Sequence, residues 1–222
     1  MTTSALKSNL GIILAVGSVW GLTEFVAGMG LQKCASLYTG AILTGMAFFW
    51  VSFAWSLTRK LLPVLLIVGM AILFKLLDAA LLPVAWNHGS ILNPAYAIVT
   101  ILIGFSLLIL LFKNQFSKKL LHRILLGAGA ALIATAMFPL VRFATGSAAC
   151  FYASTNIPLA IYTAPVAILI SMLTVPLGYQ AAVRYAGRAR EKSSLKTSLI
   201  SSLWSPAIVI CCILIITLIR II

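Results

Sequence analysis

NLGIILAVGSVWGLTEFVAGMGL, residues 9–31, is an apolar run interrupted by one carboxylate, Glu24. A helix that crosses the hydrocarbon core of a bilayer needs about 20 predominantly apolar residues, and this stretch supplies them. It follows Lys7, as a signal peptide would, but it runs too long, carries a charge and lacks a small-residue cleavage site. It reads as a membrane helix. The same criterion predicts further spans near 38–57, 61–83, 91–112, 124–143, 157–179 and 199–219. Seven spans result, or six if ISSLWSPAIVICCILIITLI, kinked by Pro206, lies along the membrane surface instead of crossing it.

Composition agrees. The chain of 222 residues is 62% hydrophobic and 9% charged, with a mean hydropathy of +1.13, too little polar cover for a soluble domain. A net charge of +13 would point to nucleic acid in a soluble protein. Here no nucleic acid is expected, because the cations sit in short stretches between apolar runs and are placed to face lipid headgroups. Twelve of the 16 Lys and Arg residues occupy Lys7 and every second loop: Arg59 and Lys60, the segment from Lys113 to Arg123, and the segment from Arg184 to Lys196. Cytoplasmic loops carry such an excess. The expected architecture is an all-α, polytopic helix bundle with a cytoplasmic N-terminus, one integral domain over residues 1–222, multi-pass in the plasma membrane of a prokaryote. No internal repeat is apparent.

Chemistry is sparse enough to localise. Only three Asp or Glu residues occur, and two of them, Glu24 and Asp78, lie inside apolar runs. With the first and third spans both running outward, Glu24, Lys75 and Asp78 share a depth in the outer half of the membrane. Lys75 and Asp78, three apart, share a helix face. A charge near the bilayer centre costs at least about 2.5–3.5 kcal/mol, so three at one level predict either a protein-lined cavity or an ion-pair lock between helices. Asn93 at the outer start of the fourth span, Arg142 at the end of the fifth and Tyr162 early in the sixth extend the candidate substrate-binding set, with Thr163 beside Tyr162 as a further polar group at that level. Trp86 and His88 in the loop before the fourth span read as an interface anchor and an exposed histidine. Pro158, Pro165 and Pro176 predict a bend in the middle of the sixth span.

Gly17 and Gly21 form a GxxxG pattern, and GAGAALIATA at 127–136 a second small-residue surface. Both predict close helix packing, within the chain or against a partner subunit. Cys34 and Cys150 fall in loops predicted on the same side, which makes a disulfide between them geometrically available. Cys211 and Cys212 read as small apolar-run residues. No metal site is expected, since His88 and His122 are predicted on opposite sides of the membrane. No cofactor or catalytic motif is present, and no Walker A sequence.

WGLTEF (20–25), KLLDAALLP (75–83) and LNPAYAI (92–98) resemble a prokaryotic family of small membrane proteins. The size, single domain, small-residue first helix and outward polar pocket are also similar to the substrate-binding S-components of energy-coupling factor transporters, although those usually have six spans. That resemblance implies an outward-facing solute pocket and a small-residue helix turned toward an energizing membrane or ATPase partner. The expected function is a transport component that captures a small polar or charged solute. Lys75 with Arg142 would attract an anionic group, and Glu24 and Asp78 a cation, proton or amine. The alternatives are an intramembrane enzyme on a lipid-linked substrate and a non-catalytic assembly subunit.

Overall fold

Backbone N–H and C=O groups find no water in hydrocarbon, so an apolar run of this length satisfies them internally as helix. The computed structural model describes the backbone of residues 3–33, 38–81, 89–146, 156–191 and 197–221, and the side chains of 10–27, 38–77, 91–146, 156–188 and 205–219. No strand occurs among them. The elements are α1 (Thr3–Lys33), α2 (Thr39–Thr58), α3 (Leu61–Leu81), α4 (Gly89–Phe116) and α5 (Leu120–Met137). A 3₁₀ turn (Phe138–Leu140) and α6 (Val141–Thr145) follow, then α7 (Leu159–Tyr162), α8 (Ala164–Glu191) and α9 (Thr197–Ile221).

Five stretches are long and apolar enough to cross a membrane: Leu10–Ala27, Thr39–Thr58, Ile91–Phe116, Leu120–Thr145 and Ala164–Arg188. The chain is therefore a multi-pass helical membrane protein. Leu61–Leu77 in α3 and Ser205–Ile219 in α9 are shorter apolar stretches among the described residues.

The sixth predicted span differs from expectation in where it breaks. The break falls at Thr163, between α7 and α8, near the start of the span and not in its middle. Pro158 is the residue that caps α7, and Pro165 is the second residue of α8. Both positions tolerate proline because the first turn of a helix has N–H groups without intrahelical acceptors. Pro176 is accommodated within α8, which continues past it to Glu191.

Helix pairing follows small residues. A Cβ on Gly17 would collide with Met70 and one on Gly21 with Phe74. The matching four-residue steps set α1 and α3 parallel and in register. On α5, Gly127 faces the Ser171 carbonyl of α8, and Gly178 of α8 faces the Phe49 carbonyl of α2. Gly104 of α4 lies on the Ala130 backbone of α5. The Phe112 and His122 rings, 5.8 Å apart, and the Tyr96 hydroxyl, which donates to the Met137 carbonyl at 3.2 Å, extend an antiparallel α4–α5 pairing in both directions. A buried hydroxyl joins α2 to α8, with Ser52 Oγ donating to the Val175 carbonyl at 2.7 Å. Lipid tails are as apolar as leucine, so close backbone approach and such hydrogen bonds hold the bundle. Trp20, Phe48, Phe105 and Phe116 fill the centre, while α9 covers α1 through Cys212 and Ile216 packed with Phe25 and Phe74. Leu66, Leu111, Leu173 and Leu214 point outward, exposed.

Candidate functional site

The N-terminal halves of α2 and α4, the C-terminal half of α5, α7 and the start of α8 enclose a cavity of about 220 Å³, with Glu24 of α1 in its wall. That is more than ten times the roughly 10–15 Å³ that admits one water. Most of the lining is small or aliphatic, including Ala41, Ala47, Ala97, Ile98, Ala134, Ala160 and Ala167. The polar exceptions are Glu24, Asn93 and four threonines, Thr44, Thr100, Thr135 and Thr163.

Each threonine hydroxyl is already committed as a donor. Thr44 Oγ1 donates to the Gly40 carbonyl at 2.7 Å, Thr100 to Ala97 at 2.8 Å, Thr135 to Ala131 at 2.8 Å and Thr163 to Leu159 at 3.0 Å. Threonine in a helix habitually bonds back to a carbonyl three or four residues earlier. The consequence is chemical: a hydroxyl has one proton and two lone pairs, so these four present acceptors.

Glu24 is 6% exposed. Its Oε2 has no hydrogen-bond partner among the described residues, and neither does the nearby Trp20 indole N–H. The Trp20 indole is close enough to act on the carboxyl without completing a bond of good geometry. The turn that carries Glu24 is pinned next door, where Thr23 Oγ1 donates to the Trp20 carbonyl at 2.8 Å and accepts from Trp50 Nε1 at 3.0 Å. Lys75 on α3 lies within Coulombic reach of Glu24 but does not line the cavity. A buried carboxylate oxygen left without a donor carries a large desolvation penalty. Such a group inside a membrane protein is a functional candidate.

The structure thus brings Glu24 and Asn93 to one cavity, with Lys75 beside Glu24. Arg142 is exposed and Tyr162 is 42% exposed; neither lines the cavity. Gly17 and Gly21 are buried against α3. The Asp78 side chain, Cys34, Cys150 and the Trp86–His88 loop lie outside the described residues. The described side chains contain no group of three His, Cys, Asp or Glu residues spaced to hold a metal. The sequence places Thr163 with Tyr162 on the pocket side of the sixth span, but Thr44, Thr100 and Thr135 were not anticipated. Single threonines in apolar runs give no periodic signal, and only the assembly of four helices reveals that they converge.

Fold and cavity together define a class, a multi-pass helical membrane protein with a partly open cavity whose described lining offers hydroxyl acceptors and one carboxylate. No protein-family model, curated protein or solved structure matches the chain.

Proposed function

We propose that this protein is a membrane transport component that captures a small, hydrogen-bond-donating cationic solute, such as an amine, in the Glu24 cavity. The observation that carries the reading is the polarity of the wall. Among the described residues its one ionisable group is a carboxylate, and its threonine oxygens offer lone pairs while their protons are spent on the helices. An ammonium group has three donors and no acceptor, which complements such a wall. A carboxylate solute would meet Glu24 with no cation among the described lining residues to offset it. Lys75, behind Glu24, tempers the negative charge while the chamber is without a cation.

The cation distribution supports a cytoplasmic N-terminus, seven crossings that include α3 and α9, and a plasma-membrane setting in a prokaryotic cell. In that orientation the cavity end faces outward. Transport needs energy, and no Walker-type sequence lies in the chain, so the reading includes an energizing membrane or ATPase partner.

A thermal-shift screen of the detergent-purified protein tests it, with small amines set against size-matched carboxylates and neutral alcohols. Ligand at 100 times its Kd stabilises the native state by about 2.7 kcal/mol. Amines are expected to raise the melting temperature of wild type, to lose that effect in Glu24→Gln, and to keep or strengthen it in Lys75→Met. A carboxylate whose shift disappears in Lys75→Met would reverse the assigned charge preference. If no compound shifts wild type and both variants melt early, Glu24 and Lys75 form a structural lock and the solute reading fails.

A further inference from the structure

At the opposite end of the bundle lies a second cleft, lined by Trp55, Arg59, Lys113, Asn114, Ser117 and Lys118. From Ile101, the deepest α4 residue of the chamber, to Lys113 is twelve residues, about 18 Å of helix rise. The two sites are therefore separate. Three cations converge on this cleft, and among the described residues no carboxylate lines it. Trp55 is 3% exposed, and its indole N–H finds no acceptor among the described residues. Indole is a donor only.

The cleft is built, not a chance meeting of loop lysines. Arg59 closes α2 in the left-handed conformation, φ 54°, with its N–H donating to the Trp55 carbonyl at 2.8 Å. That conformation costs a non-glycine residue about 1–2 kcal/mol. The α4–α5 turn carrying Ser117 and Lys118 is tied down by Arg123, which donates through Nε to the Phe116 carbonyl at 2.7 Å and through Nη2 to the Ser117 carbonyl at 2.8 Å. The Arg123 guanidinium lies 3.6 Å over the Tyr179 ring, and the Tyr179 hydroxyl donates to the same Ser117 carbonyl at 3.2 Å. Bonds from α5 and α8 thus fix the backbone that carries Ser117 and Lys118 before any ligand arrives, which lowers the entropy lost on binding.

We infer that this cleft binds a phosphate-bearing anion, either the headgroup of an acidic lipid or a soluble phosphate. Lysine, arginine, amide and indole donors around a buried N–H match the acceptor oxygens and negative charge of phosphate. A basic pocket between membrane helices at the leaflet bearing the positive loops is where anionic headgroups are recognised.

The test uses the full chain. Native mass spectrometry of protein released from nanodiscs compares retention of phosphatidylglycerol with that of phosphatidylcholine, and calorimetric titration with inorganic phosphate runs in parallel. Lys113→Gln/Lys118→Gln changes two exposed side chains, so folding is preserved. At about fivefold for each cation near an acidic surface, it should weaken binding roughly thirtyfold. Trp55→Phe keeps an aromatic ring at the position, removes the indole N–H and should weaken binding roughly tenfold. Lipid retention that phosphate does not displace identifies a headgroup ligand, and displacement by phosphate identifies a soluble one; either outcome supports the site. Equal retention of both lipids with no phosphate binding overturns the inference, as does wild-type binding in both variants.

Discussion

Glu24 sits where one turn of α1 is fixed from the side by the Trp50–Thr23–Trp20 chain of hydrogen bonds, so its carboxyl is held in the chamber wall while one oxygen lacks a donor among the described residues. Across the cavity, Thr135 and Thr163 contribute oxygens whose protons are engaged. Thr135→Val and Thr163→Val keep shape and remove an acceptor. Each should lower amine affinity about three- to tenfold, the worth of one net hydrogen bond, as read by titrated thermal shift, with the unliganded melting temperature little changed. Arg142→Gln, altering an exposed side chain away from the lining, should leave amine affinity at the wild-type value. Glu24 and Asn93 were legible in the sequence because a carboxylate, or an Asn-Pro pair, stands out against an apolar run. Thr44, Thr100 and Thr135 were not, because a hydroxyl bonded to its own helix is compatible with lipid, core or cavity alike.

Among the helices, the closest approaches are made by glycine against backbone. A methyl at Gly127 would meet the Ser171 carbonyl and the Met172 Cα of α8, neither of which can rotate away. Gly127→Ala should therefore cost about 1–3 kcal/mol, the usual penalty of overpacking, seen as a lower midpoint in detergent-dependent thermal unfolding. Gly69→Ala, where an added Cβ meets nothing within 4 Å, should be neutral or slightly stabilising in the same assay, since alanine is the better helix former. The first, second, fourth and fifth spans were readable from hydropathy to within about four residues at each end, because insertion depends on local composition, whereas the crossing stretch of the sixth, Ala164–Arg188, lies seven to nine residues later than predicted. The break at Thr163 was misplaced. Proline count signalled a disturbance, but whether each ring falls in a first turn or an interior turn depends on where the helix starts, and that is set by packing around α7.

For the whole molecule, the sequence displayed the bundle and its charge asymmetry but not its neighbours. Nothing in the periodicity of α2 indicates that α8, more than a hundred residues later, lies along it. Those distant pairings bring Ala41, Ala134, Thr163 and Ala167 to one chamber. The proposed orientation predicts a labelling pattern. With native cysteines replaced by serine, a membrane-impermeant thiol reagent applied to intact cells should modify Tyr38→Cys and spare Lys118→Cys, with Lys118→Cys reacting only after the cells are opened. The reverse pattern would turn the chamber toward the cytoplasm. Glu24 lies nine residues from Lys33 at the end of α1, about 14 Å of helix rise, close to half of a ~30 Å hydrocarbon core. A monovalent cation entering from outside to that depth crosses part of the transmembrane voltage, worth about 2.3 kcal/mol per charge over a full 100 mV. Half of that drop shifts its affinity by about 1 kcal/mol, so an energised cell, negative inside, would load the chamber several-fold more readily than the same protein in a depolarised membrane.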